Sequence, residues 1–186
     1  AGTGQFRLDT VPASTKAINV SGAAGFRGTI SSTAVTGFDG SNTTGANYIT
    51  LNAATQTFTG GAGNDTVVAG SAPVKALDGG AGTDTLVLNV LNGAGGAGTA
   101  VSSLPVFTIA GIETVNIRSA VGLTANTTTW TDVTSLNVTQ GAAVALTAAT
   151  TTAVAVSGST GNISIDGGSS ATVSAATATQ TVDRKS

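Results

Sequence analysis

Short apolar alternations recur along this chain at intervals too brief for any one of them to own a core. From the middle onward they are Leu86/Leu88, Val115/Ile117, Leu136/Val138, Val144/Leu146, Val154/Val156, Ile163/Ile165 and Val173, each followed closely by Gly, Ser, Asn or Asp. From Leu136 the starts lie 8, 10, 9 and 10 residues apart. Alternation is the period of a half-buried strand, and long helix-forming stretches with a 3.6-residue period are nearly absent. A unit of nine or ten residues makes sense only if successive strands wind round a shared interior, two units to a coil. The expected fold is therefore all-β, a parallel β-solenoid (β-roll or β-helix) with about 18–20 residues per coil.

Such a coil predicts that features return at twice the unit. "GANYIT" at 45–50 and "GNDTVV" at 63–68 lie 18 residues apart, and "GTDTLV" at 82–87 follows after 19. Placing Ile49, Val67 and Leu86 in one inward-facing column puts Asn47, Asp65 and Asp84 in one column at the coil corner. An antiparallel sandwich also spaces strands at 8–12 residues, but it gives no reason for Asp or Asn to recur at the coil period. Along the chain we expect an N-terminal segment of uncertain structure over 1–30 and a β-roll with glycine-rich loops over 31–91. An irregular loop or junction follows over 92–105, then a Thr/Ala/Val-rich solenoid over 106–186.

Composition narrows the chemistry. Cysteine, methionine and histidine are absent, which excludes disulfides, thiolate zinc sites and histidine acid/base chemistry. Any metal must be a hard ion on oxygen ligands. Seven basic residues, scattered singly, against nine acidic ones argue against a nucleic-acid partner. No apolar run reaches the length of a membrane-spanning helix. The opening "AGTGQFRLDT" has no leader pattern and reads as a mature N-terminus or a cut within a longer protein.

Two loops carry the most chemical information. "GGAGNDTVV" at 60–68 and "GGAGTDTLV" at 79–87 both match the nonapeptide pattern G-G-x-G-x-D-x-U-x, one coil apart. Glycine lets main-chain carbonyls converge, and calcium takes 6–8 oxygen ligands, so two facing loops need few carboxylates. Alternatively each Asp caps backbone amides in a tight turn. We expect capping for Asp39, Asp132 and Asp166, which lie outside full motifs, and metal binding for Asp65 with Asp84.

These loops resemble the RTX repeats of bacterial secreted proteins, in which calcium sits between loops of successive coils of a parallel β-roll. The resemblance implies Ca2+ as the bound ion and Asp65 and Asp84 as its carboxylates. Carbonyl oxygens from Gly60, Gly61, Ala62, Gly63 and Asn64, and from Gly79, Gly80, Ala81, Gly82 and Thr83, would complete the shell, with weaker neighbours involving Asn47 or Asp78. The match is good over 60–87, degenerate at 45–50, and absent after residue 90 apart from "IDGGSS" at 165–170. "GTDTLVLNV", "AGIETVNI" and "DVTSLNVTQG" further resemble the strand repeats of surface-layer and related cell-surface proteins of Gram-negative bacteria. That likeness implies type I secretion, location at the bacterial surface or in its matrix, and self-assembly.

Catalysis is not expected. Eight Asp and one Glu supply the acids, no basic residue recurs in the same column, and Glu113 reads as a solvated strand-start residue. Ser and Thr are abundant without an activating base. Flat threonine faces can bind ice, but "TANTTTWT" does not repeat at the coil period. The expected function is structural: a calcium-stabilised segment that forms a homo-oligomeric lattice or fibre, with a cell-surface glycan or lipopolysaccharide as a further partner. The alternatives are a repeat module of a secreted RTX adhesin or exoprotein, and a β-helix enzyme acting on polysaccharide.

Overall fold

The computed structural model describes residues 6–8, 11–12, 14–69, 73, 75–90, 102–104, 106–119, 121–139, 141–174 and 179–183. Among them there is no helix, and the strands are stacked in parallel as solenoid coils, about eight turns in all. The contact pattern divides the chain into two compact units, 1–88 with 106–113, and 89–105 with 114–186. Most of the irregular stretch expected over 92–105 lies outside the described residues.

In the first unit two sheets alternate along the chain. One takes β1 (Phe6–Leu8), β3 (Phe26–Ile30), β5 (Tyr48–Leu51), β7 (Thr66–Ala69) and β9 (Thr85–Val90); the other takes β2 (Ile18–Gly22), β4 (Gly37–Thr43), β6 (Thr57–Thr59), β8 (Leu77–Asp78) and β11 (Ile109–Ala110). Every pair is parallel, and the register aligns Ile49, Val67 and Leu86 as the coil period requires. All three are buried, beside a second inward column of Ile30, Leu51, Ala69 and Leu88. Facing them, Phe38, Phe58, Leu77 and Ile109 form the inner column of the other sheet. Phe38 and Phe58 stack with centroids 5.6 Å apart, and Phe26 continues the aromatic line at 5.6 Å from Phe38.

The first 30 residues, left unassigned from sequence, contain three of these strands. Their register was illegible because the β2–β4 pairing shifts between Asn19 and Ser21, a bulge that breaks the period. The pairing of Leu77 with Ile109 spans 32 residues where its predecessors span 19 or 20, because the segment 89–105 is inserted within that coil.

The second unit repeats the scheme with smaller side chains. β12 (Thr114–Ser119), β14 (Ser135–Thr139), β16 (Ala153–Ser157) and β18 (Ser170–Ser174) form one parallel sheet. β10 (Ser102–Ser103), β13 (Leu123–Asn126), β15 (Val144–Ala148), β17 (Ile163–Gly167) and β19 (Gln180–Asp183) form the other. Val115, Leu136 and Val154 stack in one buried column, and Leu123, Val144 and Ile163 in another. Trp130 is buried in the loop after β13, where its N–H donates to the Thr127 carbonyl at 3.0 Å.

Candidate functional site

The glycine-rich loops form the corner by which the chain passes from β6 to β7 and from β8 to β9. Their backbones stack as tightly as strands do. Gly60 N–H donates to the Asp78 carbonyl at 2.8 Å, Ala81 N–H to Gly61 at 2.8 Å, and Gly79 N–H to Ala110 at 2.9 Å. A Cβ at Gly60 would collide with the Gly79 carbonyl oxygen, and one at Gly79 with that of Gly111. Glycine is therefore required for coil-to-coil approach at this corner, whatever else it serves. At Gly80 and Gly82 the positive φ values of 92° and 126° add a conformational requirement.

Inside the corner runs a column of buried polar side chains, each holding the backbone of the coil before it. Glu113 Oε2 accepts from Asp84 N–H at 2.7 Å, Asp84 Oδ1 from Asp65 N–H at 2.6 Å, Asp65 Oδ1 from Asn47 N–H at 2.6 Å, and Asn47 Oδ1 from Phe26 N–H at 2.9 Å. Asn47, Asp65 and Asp84 are 1–2 % exposed, so these amides have no access to bulk water. Buried amides need partners, and ionised acceptors make the stronger bonds. The sequence placed Asn47, Asp65 and Asp84 in one column, and the structure brings them together there. It also adds Glu113, which the 29-residue gap after Asp84 concealed.

The rungs differ in how fully they are used. Asn47 also donates from Nδ2 to Thr43 Oγ1 at 2.8 Å, and that hydroxyl donates to the Gly40 carbonyl at 2.7 Å. Asp65 Oδ2 accepts from Gly61 N–H at 2.7 Å, so both its oxygens cap amides. Asp84 Oδ2 is buried and has no hydrogen-bond partner. Burial pushes the Asp84 carboxyl up to about 7, and the negative charges of Asp65, Glu113 and Asp78 push the same way, against the Asp65 N–H that favours the ionised form.

Around this column, Asn64 Oδ1 accepts from Thr83 N–H at 3.0 Å, and exposed Asp78 caps Gly80 N–H at 3.0 Å. Asp39, expected to cap an amide, accepts from Ser41 N–H at 3.0 Å. Among the described residues, no three acidic, histidine or cysteine side chains group to hold a metal ion. An ion here would depend on main-chain oxygens. The fit is uneven: Asp65 is occupied by amides, whereas Asp84 Oδ2 lies 2.6 Å from where a Gly79 Cβ would stand, a space that the Gly111 carbonyl oxygen also borders. The residues able to share a cation are thus Asp84 and the glycine carbonyls beside it.

Compared with protein-family models, with curated proteins and with solved structures, the chain gives no match.

Proposed function

We propose that this chain is a structural β-solenoid segment of a bacterial cell-surface or extracellular protein, that calcium stabilises its glycine-rich corner, and that it assembles with copies of itself. The observation that carries the reading is the unpartnered, buried Asp84 Oδ2, set among Asp65, Asp78 and Glu113. A buried carboxylate oxygen without a donor costs free energy unless it is protonated or meets a cation. Asp84, with carbonyls of the Gly79 and Gly111 loops, would hold the ion, and the ion would supply positive charge that keeps the carboxyl ionised. Binding to the folded coil alone would stabilise that coil and link folding to external calcium. Assembly and surface location rest on the resemblance to RTX and surface-layer repeats.

The test is calcium titration of the chelator-treated chain, followed by circular dichroism and light scattering, with Asp84→Asn in parallel. Asparagine keeps an acceptor for the Asp65 amide but removes the charge. A calcium-driven rise in thermal stability, lost in Asp84→Asn and followed by scattering, supports the proposal. Stability gain without scattering favours the adhesin or exoprotein module, and indifference to calcium removes the metal from the account.

A further inference from the structure

The outer face of the β2–β4–β6–β8 sheet carries a dent at its β2–β4–β6 end. One outward column runs through Asn19, Asp39, Thr59 and Asp78, in register on successive strands. Two residues earlier stand Ala17, Gly37 and Thr57, and at the first two of these there is no side chain beyond a methyl group. The result is a cavity of about 230 Å³. Ala17 and Gly37 border its low side, and Asn19, Asp39, Thr57 and Thr59 form the rim. Gly37 cannot be replaced without closing this space, because its Cβ would collide with Thr57 Oγ1.

The rim is rich in acceptors. The Thr36 hydroxyl, which also lines the cavity, spends its proton on the Lys16 carbonyl at 3.0 Å and presents its lone pairs outward. Thr57 does the same toward the Thr36 carbonyl at 3.4 Å. The Ser41 hydroxyl and amide hold the Asp39 carboxyl below the usual carboxylate range, so it is an ionised acceptor at neutral pH. Asn19 adds an amide with donors as well as an acceptor. Asp39 is the one charged side chain in the lining, which disfavours an anionic ligand. The volume lies below that of sites for drug-sized ligands and suits a single ring.

We propose that this dent binds one neutral pyranose unit of a glycan, its hydroxyls donating to Asp39, Thr36 and Thr57 and accepting from Asn19, its C–H face against Ala17 and Gly37. A shallow site of this kind is weak alone; in an assembly of copies, multivalency along a polysaccharide would raise its avidity. The site itself stands whether or not the calcium and assembly reading does.

Saturation-transfer NMR, observed on the sugar, tests it whether the chain is monomeric or assembled. The probes are the methyl glycosides of glucose, galactose, mannose and N-acetylglucosamine, each with the whole chain in chelator and again in calcium. The expected result is saturable transfer to at least one glycoside in the millimolar range. Asp39→Asn should weaken it about tenfold or more, since a charge-assisted bond is lost. Ala17→Leu, at an exposed position, should fill the dent and abolish transfer while circular dichroism stays unchanged. Asp166→Asn, in the second unit, should leave transfer unaltered. No saturable transfer with any of the four, or transfer that survives Ala17→Leu, overturns the proposal.

Discussion

Removing the Asp65 carboxylate tests the corner column where it is most fully connected. Asp65 is 2 % exposed, and its two oxygens accept from Asn47 N–H at 2.6 Å and Gly61 N–H at 2.7 Å. Asp65→Ala strands both amides away from water. Hydrogen bonds to charged groups contribute about 1.5–3 kcal/mol each, so the two together are worth roughly 3–6 kcal/mol. Relief of repulsion with the Asp84 carboxyl offsets part of that, and we expect a loss of about 3–4 kcal/mol. Asp65→Asn keeps one acceptor but turns an NH2 group toward the other amide, so its loss should be smaller and still measurable. Urea denaturation reads the totals. Native-state hydrogen exchange reads the location: the Asn47 and Gly61 amides should exchange faster in Asp65→Ala, while amides of β14 and β16 should not. A loss below about 1 kcal/mol, or exchange at Asn47 unchanged, would refute the claim that the column holds the corner.

Other perturbations probe separate parts of the structure. The Asp84 carboxyl has a folded pKa near 7 against a model value of 3.8, so between those values the folded state binds the extra proton. In chelator, its contribution is therefore complete below about pH 4 and is lost as pH rises through 7; Asp84→Asn should flatten the urea midpoint across that window. Gly79→Ala forces a Cβ into the Gly111 carbonyl and should cost several-fold more stability than Gly22→Ala, where φ is 109° but nothing lies within 4 Å of the added carbon. Paired denaturation curves would check this. Leu86→Ala, at 0 % exposure between Val67 and the next inward position, should cost about 2–5 kcal/mol by the same assay.

Much of this was legible because a solenoid writes its geometry into the sequence at the coil period. Ile49, Val67 and Leu86 fall into register from spacing alone, and they carry Asn47, Asp65 and Asp84 with them. Other parts of the structure could not be read that way. The shift between Asn19 and Ser21 in the β2–β4 pairing hid the early strands. The insertion within the Leu77-to-Ile109 coil hid Glu113, whose longer side chain still reaches the Asp84 amide. The use of each carboxylate was not written in the pattern at all. Asp65 and Asp84 occupy the same motif position, yet one caps two amides and the other leaves an oxygen without a partner. That difference arises from the neighbouring coils: the amide that serves Asp65 Oδ2 is Gly61 N–H, whereas Gly80 N–H, its counterpart in the next loop, is taken by exposed Asp78.

The most direct test of the account is a crystal structure of the chain grown in calcium and compared with one grown in chelator. The account predicts an ion at roughly 2.3–2.6 Å from Asp84 Oδ2, with glycine-loop carbonyls among its ligands and Asp65 still bonded to the Asn47 and Gly61 amides. An Asp84 oxygen that meets a water or a protein donor in both crystals, with no ion beside it, would contradict it.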